Sequence, residues 1–158
     1  MSIMTDTAAA SGYYQWYQPP SASQSRVMSS GSPDAKDERL DQARQQTYDL
    51  QFLKPGWNGY DALPPSARSV DHAMRWLVSS YAECKDADIT WYQPNVTASA
   101  EGEVVFEWWA ENRSLLIYVE GASVTFHKSL RSDGPTVHEH GDAPLGEGQM
   151  ELLRWFGE

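Results

Sequence analysis

The chain has 158 residues, 41% hydrophobic and 22% charged, which suits one globular domain with its own core. Its 22 acidic and 12 basic side chains give a formal charge of −10, which argues against duplex nucleic acid and anionic lipid as partners. The longest strictly apolar run, Leu115–Val119, is too short to cross a membrane. A single cysteine, Cys84, excludes an intrachain disulfide and a multi-cysteine zinc site. The first residues lack the basic and apolar regions of a secretory signal, which predicts a cytoplasmic location.

Residues 1–33 are rich in Ser, Ala, Gln, Gly and Pro, a composition that predicts a flexible tail. Residues 34–158 are then a single α+β domain. The tail contains four aromatic residues within five positions: Tyr13, Tyr14, Trp16 and Tyr17. Such a cluster either docks back on the domain or forms a short motif that binds a partner protein, unless the tail has no role.

Two helices are predicted after the tail. Ser32-Pro33-Asp34 is typical of a helix start, and this helix should end near Lys54 because Pro55-Gly56 cannot continue it. Ser66 is a typical cap for a second helix, Ala67–Cys84. The apolar stripes consist of Leu40, Ala43, Thr47 and Leu50 in the first helix, and Val70, Ala73, Met74, Leu77 and Tyr81, with Val78 beside them, in the second.

Beyond residue 88 the apolar period changes to two, which is typical of strands. The predicted strands are Ile89–Tyr92, Asn95–Ala100, Glu103–Ala110, Ser114–Glu120 and Ser123–Lys128, the last three forming an antiparallel meander. Residues 129–147 are predicted as a loop and Gly148–Phe156 as a short helix. The fold class is therefore α+β, with two N-terminal helices packed on an antiparallel β-meander and a short C-terminal helix.

Alternation along the meander predicts two unlike faces. The face predicted to form the core carries Val104, Phe106, Trp108, Leu115, Ile117, Val119, Val124 and Phe126. The opposite face carries Glu103, Glu107, Trp109, Tyr118, Glu120 and His127. This second set is acidic and aromatic. It is either a solvated sheet face or a surface that binds a partner, since Trp and Tyr are typical anchor residues in interfaces. The turn lengths do not fix the strand register, and the alternative pairing would mix the two faces.

The sequence shows little that indicates catalysis. It has no phosphate-binding glycine loop and no Gly-x-Ser-x-Gly elbow, and Cys84 lacks a cationic neighbourhood. Glu103 and Glu107 lie about 13 Å apart on one strand, too far for a paired acid and base. The cluster His138-Glu139-His140, with Asp142 or His127, resembles a metal-ligand set, but a solvated loop is the simpler interpretation. We therefore assign no catalytic residue, no metal and no cofactor.

The segment Pro55–Pro64 contains a tight-turn signal, Asn58-Gly59, flanked by Trp57 and Tyr60. This Gly-Trp-Asn-Gly-Tyr element resembles small, uncharacterised bacterial and phage-borne proteins. In them a helix follows, and then elements that appear here as Pro94-Asn95-Val96 and Gly102–Trp108. The resemblance implies a small α+β fold and a bacterial or mobile-element origin, with no known activity. The aromatic pair either caps the core at a structural turn or binds a ligand.

These features favour a non-enzymatic accessory protein that acts by stoichiometric binding of another protein. It would use the aromatic tail and the acidic-aromatic sheet face. It could be an immunity protein, an antitoxin-like protein or an inhibitor of a nucleic-acid-binding system, because a dense acidic face can occupy a site meant for phosphates. The alternative is a small enzyme or ligand-binding protein that uses the Trp57–Tyr60 turn and glutamates. The sequence leaves the oligomeric state open.

Overall fold

The structure is a computed structural model that describes residues 33–143 and 149–158. Its helices are α1 (Pro33–Asp49), α2 (Ala67–Asp86) and α3 (Gln149–Gly157), with a short 3-10 helix at Leu50–Phe52. Its strands are β1 (Asn95–Ala98), β2 (Val104–Trp109), β3 (Arg113–Glu120), β4 (Ser123–Leu130) and β5 (Val137–Asp142). The predicted α+β class and the short C-terminal helix are confirmed. Apart from Pro33, the predicted tail lies outside the described residues, together with Tyr13, Tyr14, Trp16 and Tyr17.

Both long helices have the boundaries that their end signals indicate. α1 begins at Pro33 and passes into the 3-10 helix, which ends before Pro55-Gly56. α2 begins directly after Ser66, whose hydroxyl accepts a 3.0 Å hydrogen bond from the Ser69 amide. The predicted stripe of α1 is correct in its centre, since Ala43 and Thr47 are fully buried and the Thr47 hydroxyl donates to the Ala43 carbonyl.

The predicted stripe of α2 is partly wrong. Val70, Ala73 and Leu77 are buried as expected, but Met74 and Tyr81 are only partly buried and Val78 is 40% exposed. The buried side of α2 is centred instead on Trp76 and includes Ser69, Ser80 and Cys84. The two serines tolerate burial because their hydroxyls are hydrogen-bonded, Ser80 to the Leu77 carbonyl and Ser69 to the Ser66 hydroxyl.

The strands form one antiparallel sheet whose spatial order, β1-β2-β3-β4-β5, is the order of the chain. The loop predicted for residues 129–147 is partly wrong, because β5 lies within it. Five of the six residues of β5 are exposed. A strand without a buried face gives no apolar alternation in the sequence. The strand predicted for Ile89–Tyr92 is also wrong, since these residues form no strand. Instead, the Tyr92 carbonyl accepts a hydrogen bond from the indole N–H of Trp108 at 2.8 Å.

The core lies between one face of the sheet and side chains from the helices. Trp76 of α2 is fully buried, stacks on Phe106 with ring centroids 5.6 Å apart, and donates its indole N–H to the Ala143 carbonyl at 3.3 Å. All eight predicted core residues of the meander belong to this cluster, with Phe126 only partly buried. The Phe126 ring lies over its cross-strand partner Gly141, where an added Cβ would be 2.9 Å from a ring carbon.

The C-terminal helix is fixed to the start of β3. Arg113 donates to the Trp155 carbonyl at 2.6 Å and lies 5.6 Å from the Trp155 ring. Lys128 of β4 approaches the same ring at 5.2 Å. None of the three helices, within the described ranges, is long and apolar enough to span a membrane.

Candidate functional site: the acidic-aromatic face

The strand register brings the predicted partner-binding residues of the meander to one face of the sheet. Directly paired residues point to the same side, and Val105 pairs with Tyr118 while Glu107 pairs with Leu116. Because side chains alternate along each strand, the side opposite the core carries Glu103, Glu107, Trp109, Tyr118, Glu120 and His127. We call these six residues the acidic-aromatic face. The structure fixes the strand register, which the sequence left open, and this register keeps the six residues together on one face.

Tyr118 lies at the centre of the acidic-aromatic face. Its ring contacts His127 edge-to-face at 5.4 Å, and the side chain is partly buried. Partial burial raises the pKa of the Tyr118 phenol, and the carboxylates of Glu103, Glu107 and Glu101 raise it further. The phenol is thus a neutral hydrogen-bonding group surrounded by negative charge.

Two carboxylates on this face accept hydrogen bonds from polar side chains, and none of the three forms an ion pair with a described residue. Glu103 accepts a hydrogen bond from the Ser99 hydroxyl at 2.9 Å, and Glu107 accepts one from the Asn95 amide at 3.0 Å. The ion pairs found among the described residues join Arg44 to Asp41, Arg75 to Asp71, and Lys128 to Glu139, so none neutralises this face. Glu120, at the end of β3, is exposed.

Trp109 marks the other end of the face, where β2 ends. It is 52% exposed, although it is a large aromatic side chain. A small hollow of about 130 Å³ adjoins it, lined among others by Arg113, Ser129 and Arg131. This end of the face therefore carries an exposed aromatic ring two residues from Glu107, with Arg131 in the adjoining hollow.

Two apolar side chains also lie on this face. Val105 is only 3% exposed and pairs with Tyr118, and Leu116 is partly buried between Glu107 and His127. Their position follows from the same alternation that places Glu103 and Tyr118. Leu116 gives the centre of the face a partly accessible apolar side chain, whereas Val105 is covered.

The histidine cluster does not form a metal site. His127 and His140 are directly paired across β4 and β5, with rings stacked 5.7 Å apart. Glu139 lies on the other side of the sheet, where it pairs with Lys128 at 2.9 Å. Among the residues that the structure describes, no group of three His, Cys, Asp or Glu side chains could hold a metal ion.

The Trp57–Tyr60 turn is closed by its own backbone. The Gly56 amide donates to the Ala62 carbonyl at 2.8 Å, and the Tyr60 amide donates to the Asn58 side chain at 2.9 Å. Gly56 and Gly59 have φ of +76° and +84°, which explains the glycines. Trp57 packs against the core and donates its indole N–H to the Leu63 carbonyl at 3.2 Å. Tyr60 is 66% exposed, so only one of the two aromatics caps the core.

Ser69 is a further residue that the sequence did not single out. It is 2% exposed and its hydroxyl accepts the Gly121 amide at 2.8 Å, which ties the β3–β4 turn to the first turn of α2. This contact spans 52 residues of sequence, and no local pattern indicates it.

Comparison of the chain with protein-family models, with curated proteins and with solved structures gave no match. The resemblance carried by Gly56–Tyr60 stays a prediction.

Proposed function

We propose that this protein is a non-enzymatic accessory protein that binds a basic surface of another protein through the acidic-aromatic face. The observation that carries the proposal is the position of Tyr118, held among glutamates that have no cationic partner in the described part of the chain. In this proposal α1 and α2 pack on the sheet face opposite the acidic-aromatic face, which leaves the acidic-aromatic face for the partner. The protein would act in the cytoplasm.

The shape of the face supports a protein partner. Leu116 supplies a partly accessible apolar side chain, and Trp109 and Tyr118 supply aromatic area with polar groups at its edge. Aromatic side chains of this kind contribute much of the binding energy in interfaces, because they bury a large area at a small loss of side-chain entropy.

The charge of the face supports a basic partner. Glu103, Glu107 and Glu120 lie within the same face, and the whole chain carries a formal charge of −10. Such a surface attracts Lys and Arg side chains and repels phosphates, so it suits an immunity protein, an antitoxin-like protein or an inhibitor that covers a nucleic-acid-binding site.

The tail motif belongs to the same proposal. Tyr13, Tyr14, Trp16 and Tyr17 lie outside the described residues, and their composition alone supports a second contact with the partner. The alternative, a small enzyme or ligand-binding protein built on the Trp57–Tyr60 turn, has weaker support, because the Trp57 indole N–H is already donated to the Leu63 carbonyl.

The test is isolation of the partner with tagged protein, identification by mass spectrometry, and calorimetric titration of the purified pair. The combined variant Glu103→Gln, Glu107→Gln and Glu120→Gln should weaken binding at least tenfold and reduce its salt dependence. The matched control, Glu38→Gln with Glu151→Gln and Glu158→Gln, changes the net charge equally at exposed positions elsewhere. Equal loss in both variants would leave only non-specific charge attraction and refute the proposed surface.

The aromatic part is tested separately. Tyr118→Ala should abolish binding of the isolated partner. Replacing all four tail aromatics with serine should weaken binding without a change in melting temperature. If the tail variant binds normally, the tail is not part of the interface. A partner that binds the Tyr118→Ala protein normally would contradict the role of the sheet face.

A further inference from the structure

The two edges of the sheet differ in how they are protected. β1 has four residues, α1 contacts it, and the carbonyl of Ala100 just beyond it accepts the Leu63 amide at 2.9 Å. β5 has six residues and forms the last strand of the sheet. Every residue of β5 except Gly141 is exposed. An exposed edge of this kind is a template for pairing with another strand.

The register identifies the backbone groups that β5 directs outward. The Ala143 amide donates to the Val124 carbonyl at 2.8 Å, so these two residues form a hydrogen-bonded pair. Because such pairs alternate in an antiparallel ladder, Val137, Glu139 and Gly141 direct their backbone groups to β4. His138, His140 and Asp142 therefore point their N–H and C=O groups away from β4.

We infer that a second copy of this chain pairs with β5, antiparallel and about a two-fold axis through His140. This register brings all three outward-pointing residues of each copy into hydrogen-bonded pairs. His138 then lies opposite Asp142 of the partner subunit, and the symmetry repeats this imidazole–carboxylate pair on the other side of the axis. The outward edge is thus complementary to itself in sequence as well as in backbone pattern.

Further features of β5 favour this occupant. Val137 is 61% exposed, and in this register it lies opposite Ala143 of the partner subunit. The segment 137–142 contains no proline or lysine, residues that commonly block edge pairing. The charge of Glu139 is held by Lys128 on the helix side of the sheet, away from the shared edge.

The dimer would extend the proposed binding surface. A two-fold axis perpendicular to the sheet places the acidic-aromatic faces of both copies on the same side of one continuous sheet. The opposing effect is the formal charge of −10 on each copy, which repels the second copy. Salt screens that repulsion over about 8–10 Å at physiological ionic strength, so dimerisation should strengthen as salt is raised.

The first experiment compares His140→Pro with His140→Ala by analytical ultracentrifugation over a concentration series. Proline removes an N–H that β4 does not use, so the strand can remain in the sheet while the dimer is lost. Alanine removes the same side chain but keeps the N–H, so it should dimerise like the parent protein. Parent protein that remains monomeric throughout the series, or a His140→Pro protein that still dimerises, would overturn the inference.

The second experiment fixes the register and does not depend on the proline variant folding. His140→Cys on the two-fold axis should form an intersubunit disulfide under mild oxidation. Opposed residues have Cα atoms about 5.5 Å apart, within the disulfide range of roughly 4.4–6.8 Å. His138→Cys is the control, because it lies about 13 Å from its own counterpart. Equal cross-linking of both variants, or cross-linking of neither, would refute the register.

Discussion

Replacement of Trp76 by alanine should be among the most destabilising single changes in this domain. The side chain is fully buried, stacks on Phe106 and lies 6.3 Å from the Trp108 ring. Truncation of a core tryptophan costs about 3–5 kcal/mol, a large share of the roughly 5–15 kcal/mol that stabilises a typical domain. Trp76→Ala should therefore lower the denaturant midpoint strongly without changing the far-UV spectrum of the native protein.

Trp76→Phe separates packing from hydrogen bonding. Phenylalanine retains an aromatic ring against Phe106 but leaves the Ala143 carbonyl without the indole donor. Ala143 is 1% exposed, so the unpaired carbonyl should cost about 1–3 kcal/mol. The matched control is Val78→Ala on the same helix, where the side chain is 40% exposed and the cost should stay near 0.5 kcal/mol.

The assay is equilibrium urea unfolding followed by far-UV circular dichroism, because tryptophan fluorescence changes with the substitution itself. The expected order of destabilisation is Trp76→Ala, then Trp76→Phe, then Val78→Ala. If Trp76→Ala costs no more than Val78→Ala, then the packing of α2 on β2 is wrong. The burial of Ser69 and Ser80 on the same side of the helix would then also be wrong.

Three further predictions concern single groups. The free energy of unfolding should fall as pH rises above about 10. The reason is that the raised phenol pKa of Tyr118 in the native protein lets the unfolded chain lose this proton first. Tyr118→Phe should remove part of this fall, as measured by urea unfolding at several pH values. Gly141→Ala should destabilise by about 1–3 kcal/mol through its contact with Phe126, and Phe126→Leu in the same chain should recover part of the loss in a double-mutant cycle. Cys84, buried and with its thiol pKa raised by that burial, should react with a thiol reagent only as fast as the protein opens; rapid modification in native buffer would contradict its placement.

The helices and the central strands were predictable because their signals are local. Pro55-Gly56 and Ser66 mark helix ends wherever the helices pack, and alternation from Val104 to Val124 assigns each side chain to a face. The rotation of α2 was misjudged because Ser69 and Ser80 are buried with their hydroxyls satisfied, which an apolar stripe cannot indicate. Trp76 lies on the same side of α2 as these serines, so the misjudged rotation also left it out of the predicted core.

The features of the site that the sequence did not predict are those that depend on pairing between strands. β5 is in the sheet because it pairs with β4, starting at Leu130 and Val137, and because the Phe126 ring covers Gly141. Its sequence has no alternation of apolar and polar residues. The position of His140 beside His127 follows only from that pairing. The acidic-aromatic face was predicted in composition, whereas its strand register, the strand beside it and the outward edge required the structure.

The strictly sequential order of the sheet has a consequence for the folding pathway. Each strand pairs with its neighbour in the chain, so the ladders from β2 to β5 close through short loops and lose little chain entropy. Contacts of low sequence separation favour rapid folding, and they place these hairpins early on the route to the native state. Ser69 and Trp76 reach Gly121 and Ala143 across 52 and 67 residues, so the helix contacts are the late ones. Substitutions at these two positions should act mainly on the unfolding rate, and changes in the β3–β4 turn on the folding rate.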